Sequence, residues 1–226
     1  KLWDYFGGVP IYDKPMNYDD AYKARNSVDE VVEFILTDLT DATESLPGSY
    51  SGNDLGRATK WAALSLRGKT YLYAEKWSEA AADFDYVIKN SDRELHPEYY
   101  QIFNYKWEGN KEVIFDVQYI KVSGFGNTCD YYYGNRNSNV GGIQRTVPTT
   151  VLVDSYEMAD GKPFSWDNFK TIDGQSFNPN STTDWAKEDL VKKIFNNRDP
   201  RLKQTDLVPW SEFVGKSNTT LIYKWP

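Results

Sequence analysis

Residues 61–94 read WAALSLRGKTYLYAEKWSEAAADFDYVIKNSDRE, and their apolar spacing is that of two short helices joined by a tight turn. The pattern predicts one helix from about Thr59 to Glu75 and a second from about Ser78 to Asn90. Gly68 and Ala80 are the small residues that would let the helices cross closely, with Leu64, Tyr71 and Phe84 as larger apolar neighbours. In the second helix Ala80, Phe84, Val87 and Ile88 fall on one stripe, predicted to face the partner. Glu79, Asp83, Asp85 and Lys89 are predicted to face water.

This arrangement of small and large residues matches a tetratricopeptide unit. With a single copy, an ordinary helical hairpin within a larger helical domain is the alternative reading, because one unit establishes no period. A helical repeat binds or scaffolds more often than it catalyses. Upstream, Ser27 and Glu30 form an S-x-x-E capping box, and Val28, Val31, Val32, Ile35, Leu39, Ala42 and Leu46 make an apolar stripe. A helix is therefore predicted from about Val28 to Leu46, stopped by Pro47-Gly48.

The character changes near Glu112. Val113, Phe115, Val117 and Tyr119 alternate with Glu112, Ile114, Asp116 and Gln118, which predicts a half-buried strand. Residues 123–146 form a Gly, Asn and Tyr rich loop, and loops of that length commonly carry function. An apolar stretch at Val151–Tyr156, a turn at Asp160-Gly161-Lys162-Pro163 and an amphipathic helix from Trp185 to Asn196 follow. Beyond Arg201 the pattern favours no element.

Lys and Arg total 26 against 33 Asp and Glu, a net charge of −7, which argues against nucleic acid or anionic lipid as a general partner. No run of apolar residues approaches membrane-spanning length. One cysteine, Cys129, and one histidine, His96, make neither an intrachain disulfide nor a familiar zinc site. The 17 Tyr, 8 Trp and 11 Phe make 16% of the chain, a surplus that fits either sugar stacking or large cores.

Five blocks in one order carry a family resemblance: FGGVPIY (6–12), GRATKWAALSLRGKTYLYAEKW (56–77), NKEVIFDVQY (110–119), VDSYEMADGKP (153–163) and NRDPRL (197–202). Together they resemble the SusD/RagB family over nearly the whole chain. The resemblance implies a mainly α fold of tetratricopeptide-like helical repeats with long loops and a few short strands. It also implies one SusD-like domain over 1–226, with 27–94 as its helical part and 110–226 as its loop-rich part. Because Lys1 opens without an initiator Met or lipobox cysteine and Pro226 ends without a capping element, the sequence is expected to be a piece of a longer protein.

By the same resemblance the protein is expected to be a surface lipoprotein of the outer membrane in Bacteroidetes. It would capture glycans without catalysis and deliver oligosaccharides to a SusC-like TonB-dependent barrel. Membrane contact would come only through an N-terminal lipid anchor outside this sequence. Peptide capture in the same architecture, a helical glycoside hydrolase and a repeat adaptor are the rival readings.

The candidate ligand residues are Tyr131, Tyr132, Tyr133, Asn135, Arg136, Gln144 and Trp166. Rings supply stacking surface, while amides and a guanidinium hydrogen-bond sugar hydroxyls. On an extended chain, two of the three tyrosines would share a face and the third would pack inward. No catalytic residue, metal site or cofactor is assigned: there is no phosphate loop, no dinucleotide fingerprint and no nucleophile for His96 to serve. Asp167, Asp173 and Asp184 lack EF-hand spacing. NRDPRL is read as scaffold, with Asp199 and Arg201 clamping adjacent segments. Gly7, Gly8 and Pro10 are read as a fixed turn.

Overall fold

The computed structural model describes residues 1–120, 122–126, 128–134, 141–143, 145–214 and 219–223. They form two compact units, Lys1–Gln118 and Tyr119–Pro226.

The first unit is helical. A short helix α1 (Leu2–Phe6) leads into the opening loop, whose backbone is pinned to the chain entering the next helix. The Asn26 N–H donates to the Val9 carbonyl at 3.1 Å, and the Arg25 guanidinium donates to the Phe6 and Gly8 carbonyls. Helix α2 (Val28–Ser45) starts at the expected box: the Glu30 N–H donates to Ser27 Oγ at 3.2 Å, and Glu30 Oε2 accepts from the Ser27 N–H at 2.8 Å. That backbone bond, with a second from the Ser27 hydroxyl, holds the Glu30 carboxyl below its ordinary range.

Helices α3 (Lys60–Tyr73) and α4 (Trp77–Asn90) make the expected hairpin, and α3 also packs on α2. Gly68 sets the approach. A Cβ there would lie 2.8 Å from the Phe84 ring and 3.2 Å from Asp83 Cβ, so a side chain would force the helices apart. Trp61, Leu64 and Val87 form the buried centre, with Ile114 packed against them.

Two sequence expectations change here. Asp83 faces inward at 7% exposure, not toward water, because Arg67 of α3 neutralises it. Ile88, placed on the buried stripe, is 74% exposed. The strand expected at residues 112–119 does not form either. Among the described residues no neighbouring segment offers it a ladder of hydrogen bonds, and an isolated strand leaves its own unsatisfied. Nor does one face of it bury: Ile114 packs inward while Phe115, Val117 and Tyr119 are exposed, as are Asp116 and Gln118.

The second unit is built on loops around an aromatic core. Its elements are α5 (Cys129–Tyr133), α6 (Thr150–Ser155), β1 (Thr171–Ile172), β2 (Gln175–Ser176), α7 (Thr182–Trp185), α8 (Glu188–Asn196), α9 (Pro200–Thr205), β3 (Glu212–Val214) and β4 (Thr220–Ile222). β1 pairs antiparallel with β2 through an Asp173-Gly174 turn in which both residues have positive φ. β3 pairs antiparallel with β4. The amphipathic helix expected at Trp185–Asn196 forms as α8, starting at Glu188 because Trp185 closes α7, and it buries Leu190, Val191, Ile194 and Phe195.

Phe164, Trp166, Phe177 and Trp185 pack on this core in a run of stacked and edge contacts, with centroids 5.0–6.5 Å apart. Three indole N–H groups find acceptors: Trp166 donates to Asp154, Trp185 to the Pro179 carbonyl and Trp210 to the Trp185 carbonyl. Part of the aromatic surplus is therefore core.

Candidate functional site

The three tyrosines lie on α5, one short helical turn, instead of the extended chain that alternation assumed. Successive side chains on a helix step by about 100°, so the rings fan outward instead of alternating between two faces. Tyr131 and Tyr132 meet edge to face with centroids 5.6 Å apart. Tyr131, Tyr132 and Tyr133 are 44%, 37% and 63% exposed, so none is packed away.

A five-residue helix is unstable alone, because its terminal backbone groups lack partners. Here the returning chain supplies them. The N–H groups of Ile143 and Arg145 donate to the Tyr131 and Tyr132 carbonyls, each at 2.9 Å. Gly142 permits this approach, since a Cβ on it would lie 1.9 Å from the Gly134 carbonyl oxygen. The same return brings the Arg145 guanidinium to 5.8 Å from the Tyr132 ring centroid. Arg145 is exposed and was not among the residues expected from sequence, although it sits beside Gln144 in the loop that drew attention. Its signal lay in pairing across the loop, which spacing does not encode. Asn135, Arg136 and Gln144 lie outside the described residues.

The returning chain continues into α6, whose C-terminal end is held from below. Arg198, 3% exposed, donates through Nη2 to the Val153 and Tyr156 carbonyls at 2.7 and 2.8 Å, and its plane lies 3.6 Å from the Phe164 centroid. The guanidinium thereby satisfies carbonyls that the end of a helix leaves open. Burial pulls its pKa below the ordinary arginine value, with Asp154 opposing. Trp166 donates Nε1 to Asp154 Oδ2 at 3.1 Å and packs against the core, so this candidate supports α6 from within the fold.

The NRDPRL segment is scaffold of a different kind from that expected. Asp199 caps α9 by accepting from the Arg201 N–H at 2.9 Å, and its carboxylate pairs with Arg201 inside the same turn. The clamp between segments is instead made by Arg198 and by the backbone, where Asp199 N–H donates to the Glu157 carbonyl and Ala159 N–H to the Asn197 carbonyl. Asp167, Asp173 and Asp184 each pair with a lysine, Lys170, Lys193 and Lys187. Among the described residues no group of three His, Cys, Asp or Glu side chains is placed to hold a metal ion.

In the first unit a shallow open cleft of about 700 Å³ runs along α2. Ile11, Asn26, Phe34 and Thr37 line it together with the carboxylates of Asp29, Glu30, Glu33 and Asp38.

A family model described as the SusD family matches residues 111–225, which includes the whole tyrosine loop. The chain belongs to the SusD family. A second model, described as "Starch-binding associating with outer membrane", matches residues 1–72. Among curated SusD relatives, a SusD-like protein P25 of Formosa agariphila is 28% identical over 53% of this chain, and a SusD-like protein of Bacteroides ovatus is 29% identical over 50%. The aligned region is 22% of the length of each, so the chain corresponds to a part of those proteins.

Solved SusD-like structures extend the match. One from Bacteroides fragilis is 29% identical with a TM-score of 0.73, covering 94% of this chain and 41% of that one. A second, described as a SusD-like carbohydrate binding protein from the same species, is 26% identical with a TM-score of 0.75, covering 95% and 39%. The mostly helical SusD-like fold expected from the five sequence blocks is thus the fold observed.

Proposed function

We propose that the protein is a non-catalytic glycan-capture subunit, held by a lipid anchor on the extracellular face of the outer membrane, that passes oligosaccharides to a SusC-like TonB-dependent barrel. The observation that carries the ligand class is the exposed tyrosine fan of α5, braced by the returning segment at Ile143 and Arg145 yet left open on its outer side. Exposed rings backed by a fixed backbone accept the C–H face of a pyranose with little ordering cost, while neighbouring polar groups reach its hydroxyls. Carbohydrate binding described for a similar Bacteroides fragilis protein supports this reading, and outer-membrane association in the matched family description supports the location. Asn135, Arg136 and Gln144 join the site as hydrogen-bonding candidates from sequence. Trp166 takes part by holding α6.

Single sugar contacts of this kind are weak, so capture relies on closure against the barrel and on many copies at the surface. The test is migration of the full-length protein through native gels containing a panel of polysaccharides, beside a Tyr131→Ala, Tyr133→Ala variant, with released sugar assayed throughout. Retardation by a glycan, lost in the variant and without sugar release, is the expected result. Sugar release would replace capture by hydrolysis, and migration unaffected by every glycan would replace glycan by peptide as the cargo.

A further inference from the structure

We infer that Arg145 makes the tyrosine site selective for glycans bearing negative charge, either a uronate carboxylate or a sulfate ester; this rests on the glycan-capture reading above. The guanidinium stands 5.8 Å from the Tyr132 centroid, and Tyr132 meets Tyr131 at 5.6 Å, so cation and rings form one continuous surface. The arrangement is fixed at the backbone, because the Arg145 N–H donates to the Tyr132 carbonyl at 2.9 Å.

The charge on Arg145 is uncommitted. Among the described residues it enters no ion pair, whereas Arg57, Arg67 and Arg201 each pair with an aspartate. Along the sequence, residues 119–153 carry Lys121, Arg136 and Arg145 against Asp130 alone. The chain as a whole carries −7, so it repels polyanions in general and would admit one only where local charge is reversed.

The chemistry of the contact follows. A pyranose lying on an aromatic ring turns its equatorial substituents outward, toward the rim of the platform. A guanidinium over the adjoining Tyr132 ring presents parallel N–H donors matched to two oxygens of a carboxylate or sulfate. A neutral sugar gains only the stacking. Cation–π contact keeps the guanidinium over one face of Tyr132 without consuming its charge, so the sugar stacks on the neighbouring exposed rings of Tyr131 and Tyr133.

The experiment measures affinity of the full-length protein for uronate polysaccharides (polygalacturonate, alginate), sulfated ones (carrageenan, fucoidan) and neutral ones (starch, xyloglucan, mannan), using wild type, Arg145→Gln and Arg145→Lys. The expected result is preference for an acidic glycan, about a tenfold or greater loss in Arg145→Gln, partial retention in Arg145→Lys, and weakening with salt. Whether the uronate or the sulfated members bind identifies the anion. Binding confined to neutral glycans, or equal affinities in wild type and Arg145→Gln, overturns the selectivity and leaves glycan capture standing. No binding to any glycan removes both.

Discussion

Arg67 and Asp83 form a bidentate pair between α3 and α4, with Nε to Oδ2 at 2.8 Å and Nη2 to Oδ1 at 2.7 Å. The remaining Nη1 donates to Thr40 Oγ1 on α2 at 3.1 Å, so one guanidinium ties three helices. The pair raises the Arg67 pKa through its hydrogen bond to Asp83, and the side chains are only 18% and 10% exposed. Removing one partner strands a charge in the interface. Arg67→Ala and Asp83→Ala are each expected to lower unfolding stability by about 3 kcal/mol, while the combined Arg67→Met, Asp83→Leu variant should recover most of it. Urea denaturation of the four proteins checks this, and additive losses would refute the coupling.

Gly142 governs the tyrosine turn in the same way that Gly68 governs the hairpin. A methyl at Gly142 would meet backbone, the Gly134 carbonyl at 1.9 Å, which cannot rotate aside. Gly142→Ala should therefore separate the two chains and break the bonds from Ile143 and Arg145 to the tyrosine carbonyls. Since α5 lies outside the buried cluster of its unit, global stability should change little while local opening increases. Faster amide exchange across 129–146 with weaker glycan binding and a nearly unchanged melting temperature is the expected combination. Unchanged exchange would mean that the contact does not hold the loop.

The elements with a strong local code were legible in the sequence. Ser27 and Glu30 announced α2 to within a residue, and Gly68 with Ala80 announced the hairpin. Asp83 was misassigned because periodicity registers it as polar and cannot see Arg67, sixteen residues away, arriving to neutralise it. Residues 112–119 alternate as a strand does, yet a strand exists only with a partner, which alternation does not specify. The candidate site was legible only as a composition, the tyrosine run and its polar neighbours. Its geometry was not, because α5 is stabilised by the returning chain at Ile143 and Arg145 more than by its own propensity.

Arg198 should not tolerate lysine. Its guanidinium bonds two carbonyls and lies against Phe164 at once, and an ammonium on a flexible stem cannot reproduce that plane. Arg198→Lys is expected to cost about 2 kcal/mol, from one lost charge-assisted bond and poorer packing. Phe164→Leu should cost less in the Arg198→Lys background than in wild type, because the stacked contact is already gone. A double-mutant cycle by denaturant titration measures that difference, and a coupling near zero would show that the stacking contributes nothing.

Asp206 gives the stability a pH dependence of opposite sign to the usual carboxylate. It follows α9, its Oδ2 is buried with no hydrogen-bond partner among the described residues, and burial raises its pKa. A raised carboxyl pKa means that the folded state binds the proton more tightly than the unfolded chain. The resulting stabilisation is fully present below the unfolded value, near pH 4, and is lost as pH rises through the folded value. As pH rises the folded state gives up that proton only at the cost of a poorly satisfied anion, and Asp206→Asn should raise the melting temperature at pH 7. Below about pH 3.5 the wild-type carboxyl is protonated in both states and the advantage should disappear. Thermal melts of both proteins from pH 3 to pH 8 check the sign. An Asp206→Asn variant that is less stable at pH 7 would mean that the carboxylate is held by a favourable partner and that burial does not dominate its titration.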